Sequence, residues 1–354
     1  MALGSYRNQI DAIDDQILSL LEARAGVAGE IATAKRDAGA KTFHDPEREE
    51  QVLDRLQAKA TGLFPRAAIR AVFREVISAC LSLEQPMSVA FFGPEGTFTH
   101  MAARHLFGLA ARYREATTID GVFDAVRTGD AACGVVPVEN STEGSVTGTL
   151  DALIEGDLCI RQELVLDVAH CLLTRAPGIT SVERVYSHPQ ALAQCRVWLA
   201  KNVPSAQLVQ TASTTAAARE AVADAGGAAI GSRLAAEMYG LEVMRDGIHD
   251  RPENATRFFV IAKADAPRTG SDRTSVAFSV REGRGSLRRV LGVFDDAEIN
   301  LTRIESRPSR QKRWDYVFVA DLEGHRTDAK VEGALEALRA QCDMVKVMGS
   351  YPRH

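Results

Sequence analysis

The chain is 354 residues long, which at about 100–200 residues per domain implies two or three domains. With 45% hydrophobic and 25% charged residues it has the composition of an ordinary globular protein, neither disordered nor fibrous. Its 42 Lys and Arg against 47 Asp and Glu leave a net charge of −5, so no global field favours nucleic acid or an anionic membrane and neither is expected as a partner. Any anionic ligand must be held by local arginines and lysines.

Cys80, Cys133, Cys159, Cys171, Cys195 and Cys342 form no CxxC pair, which argues against a zinc ribbon or a dithiol redox site and for reduced, partly buried thiols. The N-terminal MALGSYRNQIDAIDDQ has no apolar core, and no run approaches about 18 apolar residues, so neither a signal peptide nor a membrane span is expected and the chain reads as cytoplasmic. The histidines show no HxxxH or HExxH spacing, the carboxylates no EF-hand pattern, and there is no GxxxxGK[ST] loop. No metal and no cofactor are expected.

From about residue 5 to residue 84 there is no strand pattern, and the periodicity predicts three helices. Ile10, Ile13, Ile17, Leu20, Val27 and Ile31 recur at spacings of three and four, with Ser5 as the expected N-cap. A helix of about 30 residues is about 45 Å long. Two short helices cannot cover it, so a homodimer or higher homo-oligomer is the natural way to bury the seam. Asp45-Pro46 opens the second helix, and the third runs from about Pro65 to Glu84 with Ile69, Val72, Phe73, Val76, Ile77 and Leu81 inside.

Beyond Pro86 strand and helix patterns alternate: SVAFFG as a strand, the turn GPEGTFTH, a helix from about His100 to Phe107, then CGVVPVEN as a strand, and so on to about residue 263. This predicts an α/β domain with a mostly parallel sheet. Its ligands would sit beyond the carboxyl ends of the strands, where the loops holding Gly93, Asn140, Ser187 and Ser213 fall. ADAPRTGSDR (264–273) is a polar linker, and strand, helix, strand, strand, helix and strand follow, a βαββαβ ferredoxin-like module.

Charged residues stand on the apolar helical faces. Arg24 falls on the seam between Ile17 and Ile31, where a guanidinium needs an anion or a carboxylate partner. Lys35 returns to within about 20° of the same face roughly 16 Å along the axis, so both can reach one pocket. Arg7 is about 25 Å from Arg24 and rotated by about 100°, so any pocket it serves belongs to a partner chain. Cys80 and Glu84 lie one turn apart on the third helix, and Arg48 and Glu49 open the second. Each alone reads as an ordinary salt-bridging residue. Together, as a buried cluster on a dimer seam, they cost folding free energy unless a ligand is held.

The set Arg7, Arg24, Lys35, Asp45, Arg48, Glu49 and Glu84, with its Asp-Pro-x-Arg-Glu turn, resembles the all-helical chorismate mutase domain. GPEGTFTH (93–100), VVPVENSTEGS (135–145), YSHPQAL (186–192), STTAA (213–217) and NATRFFV (254–260) resemble prephenate dehydratase, and the C-terminal module resembles an ACT regulatory domain. Over essentially its whole length the chain is similar to the bifunctional chorismate mutase/prephenate dehydratase family of phenylalanine biosynthesis. The resemblance implies a helical mutase domain over 1–86, a two-lobed, periplasmic-binding-protein-like α/β dehydratase domain over 87–265, and an ACT domain over 272–354.

It also implies roles. Arg24 and the partner's Arg7 would clamp the carboxylates of chorismate, Lys35 and Glu84 would address the departing ether oxygen, and Glu49 would hold the ring hydroxyl, with Asp45, Arg48 and Cys80 completing the pocket. Cys80 stands where some members have Ser, and Glu84 where some have Gln. This rearrangement needs no nucleophile, so catalysis comes from holding the compact conformer and stabilising charge on the breaking C–O bond.

In the dehydratase, Thr256 would polarise the leaving hydroxyl of prephenate. Asn140, Ser141, Thr142, Ser213, Thr214 and Arg257 would bind the substrate, and Glu143 and His188 are two further proton sources that equally fit a capping Glu and a packed His. Gly285, Ser286, Leu287, Asn300, Leu301, Glu305, Ser306 and Arg307 would bind the effector phenylalanine between paired ACT modules, with Ser286 replacing the family's Ala. Two other readings stand beside this one: a non-catalytic aromatic-acid sensor, and a dehydratase whose helical segment only dimerises or regulates.

Overall fold

In the computed structural model, which describes residues 2–37, 46–84, 87–251, 253–280, 283–308 and 316–353, the chain divides into two units. One comprises residues 1–88 and 104–113, the other residues 89–103 and 114–354. Asp45 and the side chain of Glu84 lie outside the described residues.

The first unit holds α1 (Ala2–Asp37), α2 (Pro46–Lys59) and α3 (Arg66–Glu84). Because Ala2 and Leu3 are strong helix formers, α1 begins at Ala2, and Ser5 lies inside the helix instead of capping it. Arg24, Ala28, Ala32 and Lys35 share a face of α1. Ala28 and Ala32 are buried, α1 packs on α3, and Leu53, Ile77 and Cys80 complete a small core. The stripe Ile10, Ile13, Ile17, Leu20, Val27 and Ile31 stays 46–71% exposed within one chain. On its other side α3 meets residues 104–113: Ser78 Oγ donates to the Phe107 carbonyl at 2.7 Å and accepts from Ala110 N at 3.3 Å.

Apart from Ser88 and residues 104–113, which belong to the first unit, the second unit begins with β1 (Ser88–Phe92), α4 (Phe98–Phe107), β2 (Arg112–Ala116), α5 (Ile119–Thr128), β3 (Cys133–Asn140), β4 (Gly144–Ser145), α6 (Thr147–Glu155) and β5 (Cys159–Asp167). The Thr97 hydroxyl accepts from His100 N, which caps α4 earlier than the expected start at His100. A second lobe follows: β6 (Cys171–Thr174), β7 (Arg184–Ser187), α7 (Pro189–Gln194), α8 (Arg196–Asn202), β8 (Gln207–Gln210), α9 (Thr214–Ala223), β9 (Gly227–Gly231), α10 (Arg233–Tyr239) and β10 (Glu242–Arg245). The chain then returns to the first lobe as β11 (Ala255–Ala262).

Both sheets are mixed, contrary to the expectation of a mostly parallel one. The first has the order β2–β1–β3–β11–β5, with β1 parallel to β3 but β11 antiparallel to β3 and β5. The second, β10–β6–β9–β7–β8, pairs β7 in parallel with β8 and β9, and β6 antiparallel to β9 and β10. A strand that arrives from the other lobe is not tied to a βαβ crossover, so β11 is free to enter antiparallel between β3 and β5.

The last module is the expected βαββαβ: β12 (Asp272–Val280), α11 (Ser286–Asp296), β13 (Leu301–Pro308), β14 (Tyr316–Glu323), α12 (Ala329–Gln341) and β15 (Cys342–Pro352), with sheet order β13–β14–β12–β15. One face packs on α11 and α12 through Val276, Phe278, Phe294 and Leu335. The other shares a core with the first lobe, where Ala277, Val319, Met348 and Tyr351 join Val136, Val138, Ile160 and Phe259.

Gly349 on β15 shows how closely these sheets approach: a Cβ there would lie 2.3 Å from the Ile160 carbonyl oxygen and 2.7 Å from its nitrogen. Gly349→Ala is therefore expected to destabilise the second unit by about 2–3 kcal/mol, read as a lowered midpoint in chemical denaturation.

Candidate functional site

Thr256 on β11 lies directly opposite Asn140 on β3. Asn140 Nδ2 donates to Thr256 Oγ1 at 2.9 Å and to Asn254 Oδ1 at 2.9 Å, while Asn140 Oδ1 accepts from Thr142 N at 3.0 Å and Thr142 Oγ1 at 2.6 Å. One side chain thus ties the tip of β3 to the start of β11 and caps the turn that follows. Ser141 does the same from the outside: its hydroxyl donates to the Glu253 carbonyl at 2.9 Å and accepts from Ala255 N at 3.0 Å.

The two crossings between the lobes run beside this pair, with Val168 N bonded to the Asn254 carbonyl and Ile248 N to the His170 carbonyl. Gln194, at the end of α7, bridges them. Its Oε1 accepts from Asn254 Nδ2 at 3.2 Å and from His170 Nε2 at 2.8 Å, and its Nε2 donates to Thr142 Oγ1 at 3.2 Å and Glu143 Oε1 at 3.1 Å. An amide oxygen can only accept, so the His170 proton sits on Nε2. Burial lowers the His170 pKa from its ordinary value; the bond to Gln194 opposes this and His249 adds to it. A cavity of about 350 Å³ opens beside the network, lined by Thr142, Glu143, Gln194, Arg196, His249 and Asn254 among others.

Gln194, Asn254 and His170 were not singled out in the sequence. Gln194 follows the YSHPQAL motif and Asn254 opens NATRFFV, but nothing in their spacing says that they meet, since His170 and Asn254 lie on the two crossings and Gln194 on α7 of the second lobe. Across the cleft the GPEGTFTH turn is pinned by the second lobe, with Thr215 Oγ1 donating to the Glu95 carbonyl at 2.9 Å and Ser232 Oγ to that of Gly96 at 2.7 Å. Ser213 caps α9 by accepting from Ala216 N, leaving Thr214 in its first turn. His188 caps α7 through Nδ1, and Glu143 is bound by Gln194.

Arg257 departs from the expectation of a substrate ligand. Alternation along β11 turns it away from Thr256, and its guanidinium meets Glu163 at 2.6 Å, Asp321 at 2.6 Å and Tyr351 Oη at 3.0 Å. Arg273 grips the same Glu163 at 2.6 Å, and Ser275 donates to Asp321 at 2.5 Å. Burial alone would lower the Arg257 pKa; Tyr351, Asp321 and Glu163 more than offset this and hold it above its ordinary value. A guanidinium committed to two buried carboxylates is a structural tie.

In the C-terminal module Gly285, at φ 77°, caps α11, Ser286 accepts from Arg289 at 2.8 Å and Leu287 is partly exposed. Asn300 precedes β13 and Leu301 begins it. Along β13 Arg303, Glu305 and Arg307 are half-buried and Thr302, Ile304, Ser306 and Pro308 exposed. Glu305 accepts from Ser145 Oγ at 2.5 Å and Arg307 pairs with Asp151 at 2.8 Å, so both side chains point at the first lobe.

In the helical unit Arg24 Nη1 donates to the Val76 carbonyl at 3.4 Å, Lys35 and Glu49 are half-buried, Cys80 is buried, and Arg7 and Arg48 are exposed. Glu49 also lines a small cavity of about 20 Å³ with Arg74 and Ser78.

Three family profiles match in order: chorismate mutase type II over residues 6–85, prephenate dehydratase over 89–266 and the ACT domain over 274–340. The bifunctional chorismate mutase/prephenate dehydratase of Aquifex aeolicus is 46% identical over 99% of this chain and 98% of its own length. The chain belongs to the bifunctional chorismate mutase/prephenate dehydratase family. The enzyme of the same description from Pseudomonas aeruginosa is 41% identical over 99% of this chain and 98% of its own. Among solved structures, prephenate dehydratase from Arthrobacter aurescens in complex with L-Phe is 36% identical over 75% of this chain and 90% of that one, with a TM-score of 0.70. The chain is a bifunctional enzyme that rearranges chorismate to prephenate and converts prephenate to phenylpyruvate.

The lowered His170 pKa sets a direction for stability. A histidine kept neutral in the fold contributes stability that is present above its unfolded pKa of about 6.5 and is lost as pH falls through the lower folded value. Urea denaturation between pH 7 and pH 5 is expected to show stability falling on acidification, with a shallower slope in His170→Asn.

Proposed function

We propose that Thr256 and Asn140 form the dehydratase centre. The observation that carries this reading is the 2.9 Å bond from Asn140 Nδ2 to Thr256 Oγ1: with its oxygen accepting there, the threonine hydroxyl keeps its own proton to donate. Prephenate loses CO2 as the C–C electron pair moves into the ring and the C–O bond to the ring hydroxyl breaks. A donor aimed at that oxygen stabilises the charge developing on it. Thr142, Gln194 and Asn254 fix the Asn140 amide, and the amide N–H groups at the start of α9, beside Ser213 and Thr214, suit a substrate carboxylate.

For the mutase we infer a helical homodimer in which the exposed α1 stripe is buried against a second copy. Arg24, Lys35, Glu49 and Cys80 of one chain, with Arg7 of the other, then surround chorismate. Phenylalanine acts at paired C-terminal modules through the Gly285–Leu287 turn and the exposed side of β13, supported by the ACT profile and by the relative solved with L-Phe.

Thr256→Ala is expected to lower phenylpyruvate formation by at least about a hundredfold, while chorismate is still consumed and prephenate accumulates in the same sample. For the mutase, mixing Arg7→Ala and Arg24→Ala chains under conditions that exchange subunits should regenerate pockets with both arginines. Chorismate consumption by the mixture should exceed that of either variant alone, and a mixture no better than its components would rule out the shared pocket.

A further inference from the structure

Asn140 and Thr256 each have a strand neighbour on the opposite face, and both neighbours are held by the C-terminal module. Glu139 and Arg257 are themselves register partners. Arg257 is gripped by Asp321 of β14. Glu139 is gripped by Arg303 of β13, whose Nε lies 3.0 Å from its carboxylate. Arg303 Nη2 also donates to Ser145 Oγ at 2.8 Å and pairs with Glu305 at 2.5 Å, and Ser145 in turn donates to Glu305 at 2.5 Å. Ser145 is the residue across the β3–β4 ladder from Glu139. One arginine therefore clamps both sides of the short hairpin whose tip carries Asn140, Ser141 and Thr142.

We propose that Arg303 is a positioning residue of the dehydratase reaction: through Glu139 and Ser145 it sets the place of the hairpin, and so the aim of Asn140 at Thr256. The inference rests on the assignment of Asn140 and Thr256 to the dehydratase centre. The physical basis is the planar fork of the guanidinium, which holds two partners at a fixed angle where a lysine would hold one. The hairpin it restrains is two residues wide at β4, and displacing a reacting group by about 1 Å can cost about a hundredfold in rate. Glu305, which belongs to the strand that the family resemblance links to the effector, is part of the same clamp.

The test uses the full-length enzyme and prephenate as substrate. Arg303→Met and, separately, the isosteric Glu139→Gln should each lower kcat by about tenfold to a hundredfold with KM within about twofold. The double variant should be no slower than the slower single one, because both remove the same contact. The kcat–pH profile of Glu139→Gln should keep its shape, since Glu139 exchanges no proton with substrate. Lys346→Met is the control for docking alone: Lys346 of β15 reaches the Ile154 carbonyl at 3.1 Å, on α6 and away from the hairpin, and its kcat should stay within about twofold of the parent. Wild-type kcat in Glu139→Gln, additive effects in the double variant, or equal losses in Arg303→Met and Lys346→Met would each overturn the proposal. Should Arg303→Met fail to fold, Glu139→Gln decides alone. Thr256→Ala run in parallel separates the two readings: full turnover there sinks the assignment of the centre, whereas an inactive Thr256→Ala beside a normal Glu139→Gln sinks only the role of Arg303.

Discussion

The register between β3 and β11 is the constraint on which the dehydratase half depends. Because successive side chains on a strand point to opposite faces, placing Thr256 opposite Asn140 necessarily places Arg257 opposite Glu139 on the other side of the sheet. The first pair is joined through Asn254 to Gln194 of the second lobe, and the second faces the C-terminal module. A slip of one residue would exchange the two sets, putting a guanidinium in the cleft and a threonine among buried carboxylates. Register is held from both faces, by Asn140 on one and by the Glu163–Arg257–Asp321 cluster on the other.

That cluster also explains how the ACT module is held on the dehydratase domain. Glu163 and Asp321 side chains are each 1% exposed, and between them they take Arg257, Arg273 and Ser275. Buried charges of this kind are stable only when each is paired and hydrogen-bonded, and removing one partner leaves an uncompensated charge at a cost of about 3–5 kcal/mol. Around it Val319, Met348 and Tyr351 share a hydrophobic core with Val136 and Phe259. The module is thus joined, through β14 and β15, to the face of β3 and β11 opposite the Asn140–Thr256 pair.

The helical unit obeys a different constraint. Its own core is small, built from Ala28, Ala32, Leu53, Ile77 and Cys80, while the larger apolar residues of α1 lie in water when the chain is alone. At about 25 cal/mol per Å² of apolar surface, a stripe of six aliphatic side chains is a substantial driving force for association. The residues of α1 that pack inside one chain adjoin those that await a second: Arg24 and Lys35 stand with the buried Ala28 and Ala32, and Arg24 lies two turns from both Ile17 and Ile31 on the exposed stripe.

The helical periodicity, the alternation of strands and helices, the βαββαβ order of the last module and the family motifs were all legible in the sequence, because each is a local pattern of apolar spacing or turn residues. So were the motifs that carry Thr256 and Asn140, since each is a contiguous run. Ser5 and His100 were placed wrongly as helix starts because an end depends on which neighbour extends or caps it. The sheets are mixed rather than mostly parallel because the direction of β11 depends on a lobe crossing that no local pattern records. The meeting of Gln194, Asn254 and His170, and the burial of Arg257 between carboxylates contributed by β5 and β14, arise from residues far apart in the chain. Only the tertiary structure decides which face of a strand finds the cleft and which finds a partner sheet, and that decides whether a charged side chain binds a substrate or holds the fold.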